Sequence, residues 1–428
     1  MHKNNIKKTG ESYYYEKMDN GLEIYLLPNN RVKNFYLTLS TKFGSIHTDF
    51  KHGNKNISLP KGTAHFLEHI LFNMPDGTNA FDYYSKNGAN INAFTSYDVT
   101  CYEVYANSKF KDNLSYLLKY VYTPHFTKEI IASEKGIITE EIKMISDDPS
   151  SEIVYGMYRN IFLKDERQFL ISGTVSDVKK ITLDDIENAY EAFYQPENMV
   201  LIITGNFKPE EASAIVSETL KDFAFSKYTA PIIKEEKEPF KVVNPYEEKL
   251  MVVDKHKVTI GLKIPKSNFK ALKLSDLELR LYLNLIMRIN FGATSLLKEE
   301  LVSNGIIMDS ISTHLTITNE YVVLALMAST DYPDYFIKKV QEKLAKLEVS
   351  TVELERKIKS TLSNLIMSFD EIENVNMDIQ DDIINYGKYV NDIYDYYQNL
   401  EVETAKKVID KLSKHLVSIT ILKPKEDK

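Results

Sequence analysis

Apolar residues recur in two rhythms along the first part of the chain. The stretches "GLEIYLLPNN" and "NFYLTLSTKFGS" are dense in strand formers on either side of a turn, which predicts two strands. Residues 61–72, "KGTAHFLEHILF", change to helical spacing, with "SLPKGT" leading in as a start signal. A short helix in "NAFDYYSKNG" and a strand pair in "ANINAFTSYDVTCYEVYA" come next. Longer helices are predicted in "KDNLSYLLKYVY" and "TKEIIASEKGIITEEIKMIS", the second capped by Thr127 and stopping before Asp147-Asp148-Pro149. Helix "TLDDIENAYEAFY" and the buried strand "NMVLIITG" complete the pattern.

Residues 226–248, rich in proline and charge, read as a linker. Beyond them the order repeats. Strand "VTIGLKIP" is followed by the long helix "SDLELRLYLNLIMRIN", strands "GIIMDSISTHLTI" and "EYVVLALMAS", helices "DYFIKKVQEKLAKL" and "VELERKIKSTLSNLIMSF", and a last strand "HLVSITILKP". The pattern predicts two copies of one α/β unit: an N-terminal domain over 1–225, the linker, and a homologous C-terminal domain over 249–428.

Bulk properties narrow the function. A chain of 428 residues suits two domains rather than one core. A net charge of −8 argues against nucleic acid as the main partner. The single cysteine, Cys101, excludes an internal disulfide and sits in a strand pattern as a small buried residue. No apolar run approaches the roughly 20 residues needed to span a bilayer, and the N-terminus has no signal-peptide apolar region. The expectation is a cytoplasmic protein.

Chemistry concentrates in the helix at 61–72. His65 and His69 stand at i and i+4, and Glu68 shares their side. Three ionisable groups in a buried stripe are costly unless something satisfies them, and a divalent metal would do so. A catalytic zinc takes three N or O ligands and keeps one position open for water. The third ligand is sought where an acid borders an apolar stripe. In "KEIIASEKGIITEEIKMI" that stripe is Ile130, Ile131, Ile137, Ile138, Ile142 and Ile145. Glu134 and Glu141, seven residues apart, fall within about 20° of one helical face, whereas Glu140 points elsewhere.

The motifs "GTAHFLEHILF", "NGANINAFTSYDVTCYEV" and "EKGIITEEI" resemble those of the insulinase/pitrilysin family of inverted-motif zinc peptidases, over essentially the whole chain and its duplicated layout. The short bacterial, mitochondrial-processing-peptidase-like members are the nearest in type. The resemblance implies an α+β fold of two tandem homologous α/β domains, of the LuxS/mitochondrial-processing-peptidase-like metallohydrolase kind. It implies zinc held by His65, His69 and Glu141, Glu68 as general base, and Glu134 behind the ligands. It also implies strand addition of a peptide along an edge at Asn92 and Ala93. His69 and Glu141 are separated by 72 residues, slightly less than is usual in the family.

One departure matters. Active relatives take an arginine and a tyrosine from the second domain, in a stretch like "LRExxGLxY", to hold substrate and oxyanion. The matching "LKEELVSNGIIMDSIS" has neither. The resemblance therefore implies a zinc endopeptidase of unfolded or precursor peptides that is the metal-bearing subunit of a heterodimer, completed by a paralogous chain with both residues. Two alternatives stand beside it: a homodimer using Lys298 or Asn304, and a non-catalytic scaffold or peptide-binding subunit of the same fold.

Overall fold

The computed structural model describes residues 1–425. The chain folds into two units, and neither is one contiguous stretch. The first comprises residues 1–142, 170–235 and 365–392; the second comprises 143–169, 236–364 and the stretch from 393 onward.

The first unit is built on a seven-stranded sheet. Its spatial order is β1 (His2–Asn5), β2 (Ser12–Lys17), β3 (Glu23–Pro28), β9 (Met199–Gly205), β4 (Phe35–Thr41), β8 (Thr100–Ala106) and β7 (Asn90–Thr95). Only β3 and β9 are parallel neighbours. A separate small sheet holds β10 (Ile232–Ile233), β5 (Asp49–His52) and β6 (Lys55–Ser58).

β4 and β9 are central because both of their faces are covered, and every residue in them is buried. Alternation sorts their side chains. Leu37, Leu39, Leu201 and Ile203 enter the main core with α1 (Thr63–Ile70), α3 (Phe110–Tyr122) and α7 (Leu183–Phe193). Val200 and Ile202 turn the other way, to Val375, Ile379 and Ile383 of α13 (Ile372–Tyr386). α13 also meets the polar side of β4: Thr38 Oγ1 donates to Asn376 Oδ1 at 2.6 Å, and Ser40 donates to Gln380.

The second unit has a five-stranded sheet in the order β11 (Tyr246–Met251), β15 (Leu416–Pro424), β12 (His256–Pro265), β14 (Tyr321–Thr330) and β13 (Ser312–Ile317). Here too the first pair is parallel and the rest antiparallel, so the sheet repeats β3-β9-β4-β8-β7 strand for strand. Helices repeat as well. α9 (Asp276–Asn290) and α10 (Leu296–Ser303) follow β12 as α1 and α2 (Ala80–Lys86) follow β4. α11 (Pro333–Leu344), α12 (Thr351–Ser368), α13, α14 (Ile393–Gln398) and α15 (Val402–Lys411) follow β14 as α3, α4 (Lys128–Asp147), α5 (Pro149–Ile161), α6 (Val175–Lys180) and α7 follow β8. α8 (Pro209–Leu220) follows β9 and packs on α3. The two-domain α/β architecture read from the repeated order is the one observed.

The equivalent helices α5 and α13 are exchanged. α13, from the second half of the sequence, covers β9 and β4 of the first unit; α5, from the first half, covers β12 and β15 of the second. Gly261 on β12 records how close α5 comes. A Cβ there would lie 2.5 Å from Ile161 Cδ1 and 3.1 Å from Met157 Cγ.

Some local readings change. Within α4, Ile131, Ile138 and Ile142 are buried, but Ile137 is 56% exposed, because the face carrying Glu134 and Glu141 looks inward instead. The 226–248 stretch is tied down along its length. Ile232–Ile233 pair with β5, and the buried Glu238 carboxylate accepts from the Leu163, Lys164 and Asp165 amides while pairing with buried Lys263.

Candidate metal centre

α1 is short and buried over nearly its whole length, with Phe66, Leu67 and Ile70 wholly enclosed in the main core. It begins at Gly62, whose φ of +84° and approach to the Ser172 carbonyl exclude a side chain; a Cβ would lie 2.2 Å from that oxygen. The helix start is therefore set by backbone shape, and no side chain caps it.

His65, Glu68 and His69 meet the inward face of α4 within the first unit. His65 Nε2 lies 3.4 Å from Glu141 Oε1, and His69 Nε2 lies 3.4 Å from Glu141 Oε2. These separations are long for charge-assisted hydrogen bonds. Each histidine faces a different oxygen of the same carboxylate, so Glu141 stands between the two rings as a shared neighbour. Among the described residues, these three form the one group of His, Cys, Asp or Glu whose ligand atoms all lie within 4.8 Å of one another. Two imidazoles and a carboxylate, gathered this closely, are a donor set that fits zinc.

Neighbouring groups orient the cluster. Glu134 Oε1 lies 2.9 Å from His69 Nδ1, leaving Nε2 for the metal side. His65 has no such support: among the described residues, its buried Nδ1 finds no hydrogen-bond partner. Burial opposes protonation of His69, but the Glu134 hydrogen bond and the surrounding carboxylates outweigh it and raise its pKa. Glu141 is held below the ordinary carboxylate range, first by its contact with His65. Burial pushes Glu68 up, against the pull of His65, Thr95 and His69. Three carboxylates around two imidazoles leave an excess of negative charge that a divalent cation offsets.

Glu68 is 6% exposed and lies outside the ligand trio. Its Oε2 accepts a 2.7 Å hydrogen bond from Thr95 Oγ1, at the end of β7. Sequence reasoning missed Thr95, since only the packing of α1 on β7 brings it to Glu68. The "NAFT" alternation, which puts Thr95 on the same strand face as Ala93, is the one signal that pointed to it. β7 is the last strand of its sheet, with no strand paired to its outer edge among the described residues; Asn92 is exposed on it and Ala93 half-buried.

In the second unit, Leu301 is fully buried in the core, Val302 packs beside it, and Met308 is 78% exposed. Lys298 and Asn304 lie in and just after α10. Cys101 is buried, and burial pushes its thiol far up, which makes it an inert core residue. No helix among the described residues is long and apolar enough to cross a membrane.

Two family models match: insulinase (peptidase family M16) over residues 46–169, and the peptidase M16 inactive domain over residues 180–361. The zinc protease YmfH of Bacillus subtilis (strain 168) is 36% identical over 358 residues, 82% of each chain. The zinc protease PqqE of Helicobacter pylori is 25% identical over 440 residues, 95% of this chain and 92% of its own. In fold, the chain is similar to an M16-like peptidase from Alicyclobacillus acidocaldarius, with a TM-score of 0.89 at 23% identity over 97% of this chain and 99% of that one. Identity at the level of YmfH over most of both chains, joined to the ligand cluster, shows that this chain belongs to the insulinase family of zinc metallopeptidases, peptidase family M16.

Proposed function

We propose that this chain is the metal-bearing subunit of a zinc endopeptidase that cleaves unfolded peptides and is completed by a second, related chain. Endopeptidase chemistry of the M16 kind rests on the family and the His65–His69–Glu141 cluster. The observation that carries the catalytic assignment is a buried carboxylate, Glu68, beside the three ligands but not among them.

Bound zinc would supply a Lewis acid that polarises the scissile carbonyl and lowers the pKa of a water towards about 7. His65, His69 and Glu141 would hold it, and Glu134 would fix the His69 ring. Glu68 would take one proton from the attacking water. As the carbon–nitrogen bond breaks, it would pass that proton to the departing amine. A carboxylate pushed upward by burial suits both halves of this exchange. The outer edge of β7 at Asn92 and Ala93 would hold the peptide extended by strand addition.

The need for a partner is supported by the second unit. Leu301 is committed to the core, and Val302, Gly305 and Met308 offer no side-chain donor for an oxyanion. Losing one such donor costs about 10²–10³ in rate. A paralogue with the arginine and tyrosine would restore it; a homodimer using Lys298 or Asn304 is the other arrangement.

Glu68→Gln tests the reading. Zinc content should stay at one per chain while hydrolysis of unfolded peptides disappears, with and without the paralogue. Near-normal turnover by Glu68→Gln would remove the general-base role. Strong activity of the pure chain, undiminished by mutating Lys298 and Asn304, would remove the missing-donor argument.

A further inference from the structure

We propose that Thr95 is a positioning residue for Glu68, biasing which oxygen of that carboxylate receives the proton and tying its orientation to the strand that holds the peptide. The inference rests on Glu68 being the general base.

Hydrogen-bond direction carries the argument. Thr100, buried on β8 opposite Thr95, donates its only hydroxyl proton to the Phe43 carbonyl at 2.8 Å. A carbonyl can only accept, so Thr100 has nothing left to donate. Thr95 Oγ1 lies 3.3 Å from Thr100 Oγ1 and 2.7 Å from Glu68 Oε2. Its one proton therefore goes to the carboxylate, which is the nearer and charged acceptor. The polarity is preset: Phe43 fixes Thr100, and Thr100 cannot turn Thr95 into an acceptor.

Two consequences follow. Oε2 of Glu68 already accepts one hydrogen bond, which makes it the less basic oxygen and favours Oε1 for proton transfer, and the carboxylate plane is held against rotation. Thr95 also lies two residues beyond Ala93 on the same strand face. A peptide pairing along β7 would stiffen the strand that holds the base, so occupancy of the edge and orientation of Glu68 are coupled.

The test compares Thr95→Val, which removes the hydroxyl at similar shape, with Thr95→Ser, which keeps it, and uses Glu68→Gln as control. Zinc content, KM and kcat on a quenched unfolded peptide would be measured for the full chain, with the paralogue where the wild type requires it. Crystal structures of the Thr95 variants would give the Glu68 conformation whatever the rate. Thr95→Val should keep its zinc and a KM within about twofold, lose about 10- to 100-fold in kcat, and show Glu68 rotated out of place. Thr95→Ser should recover kcat to within about threefold with Glu68 in place. The proposal is overturned if Thr95→Val keeps wild-type kcat, if its Glu68 is unmoved, or if Thr95→Ser is as slow as Thr95→Val. Should Glu68→Gln itself remain active, it is the reading of Glu68 that fails. An inactive Glu68→Gln beside a normal Thr95→Val removes the role of Thr95 alone.

Discussion

The two units are built from the same strand pattern in the same order, yet among the described residues only the first gathers metal ligands. α1 carries His65, Glu68 and His69; α9, which follows the equivalent strand, buries Leu279, Tyr282, Leu283 and Ile286. α4 has Glu134 as its seventh residue and Glu141 as its fourteenth, where α12 has Lys357 and Asn364. The backbone that positions zinc is thus available twice. A handful of side chains decides whether that space holds hydrocarbon or ligands, and the polar choice is stable only with a cation to satisfy it.

The sharpest way to break this contrast is to give α4 the residue of α12. Glu141→Asn should reduce zinc content to background and abolish peptide hydrolysis. It should also erase the thermal stabilisation by added zinc, which for the wild type reaches about 2.7 kcal/mol at a hundredfold excess over Kd. Metal analysis and melting curves with and without zinc check it.

Glu134→Gln is the next smaller step. The ligand trio survives, but His69 loses the carboxylate on its far nitrogen. Zinc affinity should fall about 10- to 100-fold, measured by competition with a chelator. An unchanged affinity would mean that Glu134 contributes only to packing.

Much of this centre was legible in the sequence because helical geometry is local. His65, Glu68 and His69 share a face by spacing alone, and Glu134 and Glu141 by a seven-residue interval. Repeated strand order revealed the duplicated architecture for a similar reason. Hydrophobic periodicity could not reveal α5 or α13. The buried face of α13 includes Asn376 and Gln380, bonded to Thr38 and Ser40, and that of α5 includes Glu152, Gly156 and Asn160. Polar residues at buried positions interrupt the apolar stripe, and no local pattern names the sheet a helix will cover. Ile137 misled in the converse way: an apolar residue at helical spacing lies exposed because the inward face is taken by acids.

Lys357 tests the second unit by itself. It is 7% exposed, and its ammonium donates to the Thr294 hydroxyl at 2.8 Å, with no carboxylate in ion-pair contact among the described residues. Burial, then Arg356 and Arg288, hold its pKa below the ordinary lysine value. A depressed lysine costs stability wherever both folded and unfolded chains are protonated, and the cost vanishes once pH passes the unfolded pKa. Lys357→Met should therefore raise the melting midpoint modestly at pH 7, and progressively less towards pH 10.5. Zinc binding should be unaffected. A lower midpoint at pH 7 would show that the ammonium stabilises the second unit.

The smallest expected effect compares the exchanged helices. On α5, buried Glu152 is paired with Lys249 and Arg159, each at 2.9 Å. On α13, Asp382 has no cation partner among the described residues; its Oδ2 accepts only the Val390 amide, at 3.0 Å. Burial pushes Asp382 up to about 7, opposed by the Val390 amide and aided by Asp378 and Asp381, while Asp378 is pushed up to about 6. A raised acid keeps its proton in the folded state after the unfolded chain has released it. Stability therefore falls as pH climbs from the unfolded value near 3.8 through about 7, and the full cost is present above that. Asp382→Asn keeps an acceptor for Val390 and removes the charge. It should raise the melting midpoint at pH 8 by about 2 °C and leave it unchanged at pH 4, with the gain appearing between those limits. A gain of equal size at pH 4 and pH 8 would mean that packing, and not the unpaired charge, distinguishes α13 from α5.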